Sequence, residues 1–149
     1  MRMVKALGLV LGLAVPAFAD DGDDTLRFFL SKSELVVLGE ITSEPHGVWD
    51  EKGVVNYICD FRIAEVLKGK KPGTDTVAVN IVQFELDKED RLPGLKKGTK
   101  WIVFLKSAPD GAKPPWRTAD FWFGVQRPSP WMAQSLKRLA EPDEAKRKR

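Results

Sequence analysis

The sequence predicts a mainly β domain: a five-stranded, partly open Greek-key barrel with a short helix before it and a second helix after it. Three observations lead there. Val54 to Leu67 alternates apolar and polar residues, with Val55, Tyr57, Cys59, Phe61 and Ile63 in phase. Two further runs, Leu35 to Ile41 and Lys100 to Lys106, are apolar on both faces. Polar stretches bearing Pro and Gly separate these runs. Five strands with this many inward residues cannot bury their apolar faces as a flat sheet, so a small barrel is the economical solution. A two-sheet sandwich is the alternative, and it ordinarily uses about seven strands.

Asp23, Asp24 and Thr25 are helix N-cap formers, and Leu26, Phe29, Leu30 and Ser33 follow at helical spacing. A helix is expected from Thr25 to Ser33, leaving residues 20–24 as a disordered start. The first strand, Leu35 to Ile41, is interrupted by Gly39, which implies a bend or a close backbone approach. Thr42 to Gly53 holds Pro45, Gly47 and Gly53 and reads as a hairpin loop. In the long second strand Ile58 breaks the alternation. Val66 and Leu67 are adjacent apolar residues, so a bulge is expected near Glu65. Lys68 to Gly73 is a turn. Thr76 to Val82 follows as a strand with Val77, Val79 and Ile81 inward. Phe84 to Gly98 and Ser107 to Asp120 read as long loops around the strand at Lys100 to Lys106. The last strand is Phe121 to Val125. Ser129 as N-cap, with Pro130 at the first helical position, starts the final helix. Met132, Leu136, Leu139 and Ala140 line one face of it, and Pro142 stops it. Trp101 and Trp131 are expected in the core.

The first nineteen residues have the tripartite form of an export signal. Arg2 and Lys5 give a positive start, Ala6 to Val15 is apolar, and Ala17-Phe18-Ala19 is a small-x-small cleavage site after Pro16. The apolar run is too short to cross a bilayer as a helix, and no second one follows. The expected localisation is secreted or periplasmic. Residues 25–141 form the single domain, and residues 142–149 form a basic flexible tail. The formal charge is +3. Without Arg2, Lys5 and the four basic residues from Lys146 to Arg149 it falls to −3. A mildly acidic body lacks the positive field that attracts nucleic acid. Cys59 is the single cysteine, so no intramolecular disulfide can form, and its place in the alternating strand gives it a core role.

The residues of common catalytic sites do not assemble in this sequence. His46 is the single histidine, with no serine or cysteine placed beside it as a nucleophile. Glu44, His46, Asp50 and Glu51 share one loop but match no metal-ligand spacing. Glu85, Asp87, Glu89 and Asp90 lack the calcium-loop pattern and read as a solvated loop. There is no phosphate-binding glycine loop. The expectation is a non-enzyme without metal or cofactor. It is a monomer that binds a protein or envelope glycan outside the cytoplasm, with no nucleic acid partner. Inhibition of a secreted protease is the alternative function. Single-stranded nucleic acid binding and catalysis rank below both. Trp49 and Trp116 lie in the long loops, where a tryptophan either folds back as a lid or stacks on a partner. A binding face would use Trp49, Trp116, Arg117 and Trp122.

Ser33 to Leu105 resembles the barrel of the netrin-like or TIMP-like (tissue inhibitor of metalloproteinases) OB-fold superfamily. The likeness is carried by Ser33-Glu34-Leu35-Val36-Val37-Leu38-Gly39-Glu40-Ile41, by Tyr57 with Phe61-Arg62-Ile63-Ala64-Glu65-Val66-Leu67-Lys68-Gly69, and by Leu95-Lys96-Lys97-Gly98-Thr99-Lys100-Trp101-Ile102-Val103-Phe104-Leu105. It implies an OB-fold barrel. Animal inhibitors of that superfamily chelate the target's zinc through an N-terminal Cys held by disulfides. The mature start expected here is Asp20-Asp21-Gly22, and Cys59 has no partner, so the resemblance does not extend to that wedge.

Overall fold

A computed structural model describes residues 22–85, 94–120 and 123–142. The fold is mainly β, with seven strands in one sheet and a helix toward each end. Helix α1 covers 22–32, so it takes in residues 22–24 ahead of the expected start. The strands are β1 (Leu35–Ile41), β2 (His46–Trp49), β3 (Val54–Lys68), β4 (Thr76–Phe84), β5 (Lys100–Ser107), β6 (Trp116–Thr118) and β7 (Val125–Gln126), followed by α2 (Pro130–Ala140). The expected signal peptide, the basic tail beyond Pro142, and Asp87, Glu89, Asp90 and Trp122 lie outside the described residues.

The hydrogen-bonded path runs β1-β3-β4-β6-β5, and β5 pairs again with β1, so the path returns to its start. Every pairing is antiparallel except β4 with β6. Two of these strands correct the sequence reading. β2 lies within the expected hairpin loop, and β6 lies within the expected loop after β5. Both are short, at four and three residues, and β2 is mostly exposed. Neither therefore shows a clean alternation, and tertiary pairing decides their state. Phe121, the expected start of the last strand, lies outside the described residues; among those described, Phe123 and Gly124 lie in a turn and Val125–Gln126 pair with β5.

Register along β3 explains its phase slip. Val36 pairs with Lys68 and Val37 with Val66, while Leu38 pairs with Glu65 and Gly39 with Ile63. Leu67 and Ala64 are thus the extra residues, one on each side of Glu65. They turn Leu67 outward and Val66 toward the interior. Gly39 is required at this crossing. A Cβ there would sit 2.1 Å from the Arg62 carbonyl oxygen and 2.6 Å from the Phe61 ring.

Two apolar clusters follow from the two-sided strands. The interior one gathers the inward residues of β1, β3, β4 and β5, with Tyr57, Phe61 and Trp101 the largest. The second lies outside the sheet, where Val36, Ile102 and Phe104 meet Leu26 and Leu30 of α1, Leu136 of α2, and Phe123. Phe29 stacks on Phe123 at 4.2 Å, and both meet Phe104 edge-on. The Lys68 ammonium donates to the Leu30 and Ser33 carbonyls at 2.6 and 2.5 Å, closing the C-terminal end of α1. The Ser129 hydroxyl accepts from the Met132 N–H at 3.1 Å as the N-cap of α2. Trp131, expected in the core, is instead 52% exposed, because α2 buries itself one turn later, at Ser135 and Leu136. Among the described residues, no helix is long and apolar enough to cross a membrane.

Candidate functional site

The helices cover the outer face of β1, of β5 and of the C-terminal end of β3, where Leu67 joins the outer cluster and Lys137 of α2 pairs with Glu65. Among the described residues, the outer face of β2, of β4, of β6 and of the first half of β3 carries neither helix, and its composition follows from strand register. Alternation points Val55, Tyr57 and Cys59 inward and leaves Val54, Asn56, Ile58 and Asp60 outward. The pairs His46 with Ile58, Val48 with Asn56, Val54 with Phe84, Asn56 with Val82 and Ile58 with Asn80 set the neighbouring outward residues. Asn80 then pairs with Arg117, and Arg117 with Lys106. The result is a strip running from Val48 across Ile58, Asn56, Phe84 and Asn80 to Arg117 and Lys106.

Three apolar side chains on this strip are open to water: Val48 is 51%, Ile58 40% and Phe84 43% exposed. Between them, the Asn80 amide donates to the Asn56 carbonyl oxygen at 2.8 Å. At the far end, Lys106, Arg117 and Asp120 line a cavity of about 290 Å³ with Val82, Thr118 and Ala119. The Arg117 Nε is buried without a hydrogen-bond partner among the described residues, as is the Asn80 Oδ1. A donor left in that state carries a desolvation cost that an arriving acceptor would remove.

Of the candidate binding residues, the sheet brings Arg117 to this strip. Trp49 and Trp116 point to the other side. Trp49 pairs with Val55 and Trp116 with Val79, both fully buried interior residues. Trp116 packs against the interior cluster, which is the lid arrangement. Trp49 meets Tyr57 edge-on with ring centres 6.1 Å apart, yet stays 54% exposed at the rim. Sequence reasoning missed Val48, Ile58 and Phe84. Ile58 was visible as the apolar break in the alternation. Phe84 was hidden because β4 continues two residues past the expected end.

Glu85 departs from expectation as well. It is 3% exposed rather than solvated, and its carboxylate accepts the Tyr57 hydroxyl at 2.8 and 3.0 Å. The extension of β4 carries it to the sheet end, where its N–H donates to the Gly53 carbonyl. Cys59 is 3% exposed, and burial, helped by the Asp60 charge, pushes its thiol up to about 12. That is far from the depressed range of a nucleophilic cysteine.

A second concavity of about 470 Å³ lies between β1, β3 and the start of α2. It is lined by Leu38, Gly39, Arg62, Lys100, Pro128 and Ala133 among others. Of its polar groups, Arg62 donates to Glu40 at 2.7 Å, and the Ser129 hydroxyl caps α2. Neither concavity pairs a nucleophile with a base. Among the described residues, no three His, Cys, Asp or Glu side chains are grouped to hold a metal. Comparison with known proteins finds no family model that matches this chain and no curated protein similar to it.

Proposed function

We propose that this chain is an exported, non-catalytic binding module of the TIMP-like OB-fold type, and that its protein or glycan partner docks on the uncovered face formed by β2, the first half of β3, β4 and β6. The carrying observation is the strip itself. Val48, Ile58 and Phe84 are exposed together, and the strip ends at Arg117 and Lys106. Exposed apolar side chains gathered around polar groups on one face are a mark of an interaction surface. The basic end adds selectivity for a partner that presents carboxylates beside apolar surface.

Topology supports the OB-fold part of the reading. The spatial order β5-β1-β3-β4 places a returning strand beside the first of three antiparallel neighbours, as in a Greek key. The parallel β4–β6 pairing closes the path. OB-folds bind ligands on their second and third strands and on the loops joining strands one to two and four to five. The corresponding parts here are β3, β4, the segment 42–53 that carries β2, and the segment 108–115 that leads to Trp116 and Arg117.

The test compares residues 20–149 with Ile58→Glu, Phe84→Glu and Arg117→Ala. Each is immobilised and exposed to culture-medium proteins and to arrays of acidic and neutral polysaccharides. Retention by the wild type that falls at least tenfold in the two Glu variants is expected, with Arg117→Ala losing chiefly the acidic partners. Equal retention by all four proteins contradicts the proposal.

A further inference from the structure

The basic end of the strip holds a charge pattern that the fold leaves unbalanced. The β5–β6 register sets Lys106 directly opposite Arg117, and like charges in that position repel. Both side chains are half-buried, which weakens the screening that water would give. Among the described residues, no ion pair holds either of them. Glu34, whose carboxylate also feels the Lys106 charge, takes its hydrogen bond from the Ser107 hydroxyl at 2.6 Å instead. The two cations line the cavity of about 290 Å³ together with Asp120. Its wall is fixed by the bond from the Val82 N–H to the buried Thr118 hydroxyl at 2.9 Å.

We infer that this cavity is a subsite for a small monoanionic hydroxy acid, whose carboxylate sits between Arg117 and Lys106. The inference rests on the reading of the strip as a binding face, and it names what the basic end takes. Charge selects the valence of the ligand. Two cations and the Asp120 carboxylate leave one positive charge at the cavity, which a monoanion neutralises and a dianion oversteps. Shape selects a carboxylate. The edge of a guanidinium that offers Nε and one Nη matches two carboxylate oxygens, and the Arg117 Nε is the buried donor without a partner among the described residues. The hydroxyl follows from the acceptors. Asp120 brings oxygens that only accept, and the Asn80 Oδ1, on the residue paired with Arg117, is buried with no donor among the described residues. A carboxylate brings these acceptors no donor, whereas a hydroxyl beside it does. Ligand pockets run from about 300 to 1,000 Å³, so a cavity at the lower end of that range admits an acid of monosaccharide size. A free hydroxy acid and a uronate borne by a glycan share this chemistry.

Binding removes a repulsion that the ligand-free protein carries. Ligand and loss of one of the two cations therefore act on stability in the same direction, whereas a lysine held for structural reasons would destabilise the fold on removal.

Titration of the isotope-labelled mature chain with D-glucuronate, read by amide chemical shifts, tests the site. Saturable shifts are expected at Lys106, Arg117, Thr118 and Ala119. D-glucose, which lacks the carboxylate, should give none there. Acetate, which lacks the hydroxyls, and sulfate, a dianion, should each bind at least tenfold more weakly. Arg117→Lys keeps the charge and loses the fork, and should weaken glucuronate at least tenfold. Lys106→Gln should weaken it to a similar degree, while the urea midpoint of the ligand-free protein stays the same or rises. Polygalacturonate that shifts the same amides marks a glycan as the source, and shifts with the monomer alone mark a free acid; both results support the inference. No saturable shift with glucuronate, equal binding of acetate, or undiminished binding by Arg117→Lys overturns it. Partner capture that persists beside such a result confines the failure to this site. Glucuronate binding beside equal partner capture by the wild type, Ile58→Glu and Phe84→Glu confines the failure to the docking proposal.

Discussion

The outward sides of β1 and β5 and the outward sides of β4 and of the first half of β3 belong to one sheet and have opposite surroundings. On the first, Val36, Ile102 and Phe104 are sealed under α1 and α2. On the second, Ile58 and Phe84 are 40% and 43% exposed, with no helix above them among the described residues. The difference traces to composition. Lys100 to Lys106 has no polar interruption between its end lysines, and burying both its faces requires helices on the outside. β3 interleaves Asn56, Asp60 and Arg62, which satisfy an open face. Its exposed apolar residues stand outside both buried clusters, and that is what makes them candidates for binding.

The contrast gives a graded set of outcomes. Phe104→Ala empties a site walled by Phe29 and Phe123 and should lower unfolding free energy by about 3–5 kcal/mol in urea titration. Gly39→Ala forces a methyl against the Arg62 carbonyl and should cost about 1–3 kcal/mol, with the β1–β3 crossing giving way first in hydrogen exchange. Lys68→Met takes the ammonium from the Leu30 and Ser33 carbonyls, of which Leu30 keeps the Ser33 N–H, and should cost about 1–2 kcal/mol, with α1 fraying in advance of the sheet.

The raised Cys59 thiol makes stability depend on alkaline pH. The folded state holds this proton more tightly than the unfolded chain, whose thiol titrates near about 8.5. Its contribution is therefore complete below that pH and is lost as pH rises toward the folded value of about 12. The urea midpoint should fall between pH 8 and 10.5, and the fall should be shallower in Cys59→Ala. The smallest stability effect belongs to the bare face: Ile58→Thr and Phe84→Ser should each change stability by less than about 0.5 kcal/mol while weakening partner capture.

The inward set Val55, Tyr57, Cys59, Phe61 and Ile63 was legible because strict alternation demands a buried face, and Leu35–Ile41 was legible because it is continuous and β-branched. The slip around Glu65 and the close approach at Gly39 were legible for local reasons as well. β2 and β6 were not. Their few residues sit among Pro and Gly, and what makes them strands is pairing with β3, β4 and β5. Arg117 was readable as a candidate. Its partnership with Lys106 and Asn80 was not, because it depends on the parallel β4–β6 register. Glu85 looked like one of four loop carboxylates until the length of β4 brought it to the Tyr57 hydroxyl.

Hydroxyl-radical footprinting of the native protein compares the two faces through residues of one type. Phe84 should be oxidised many times faster than Phe104, with Ile58 and Val48 labelled and Ile102 protected. Equal protection of Phe84 and Phe104 would mean that the β3–β4 face is covered like its opposite, and it would remove the surface on which the binding proposal stands.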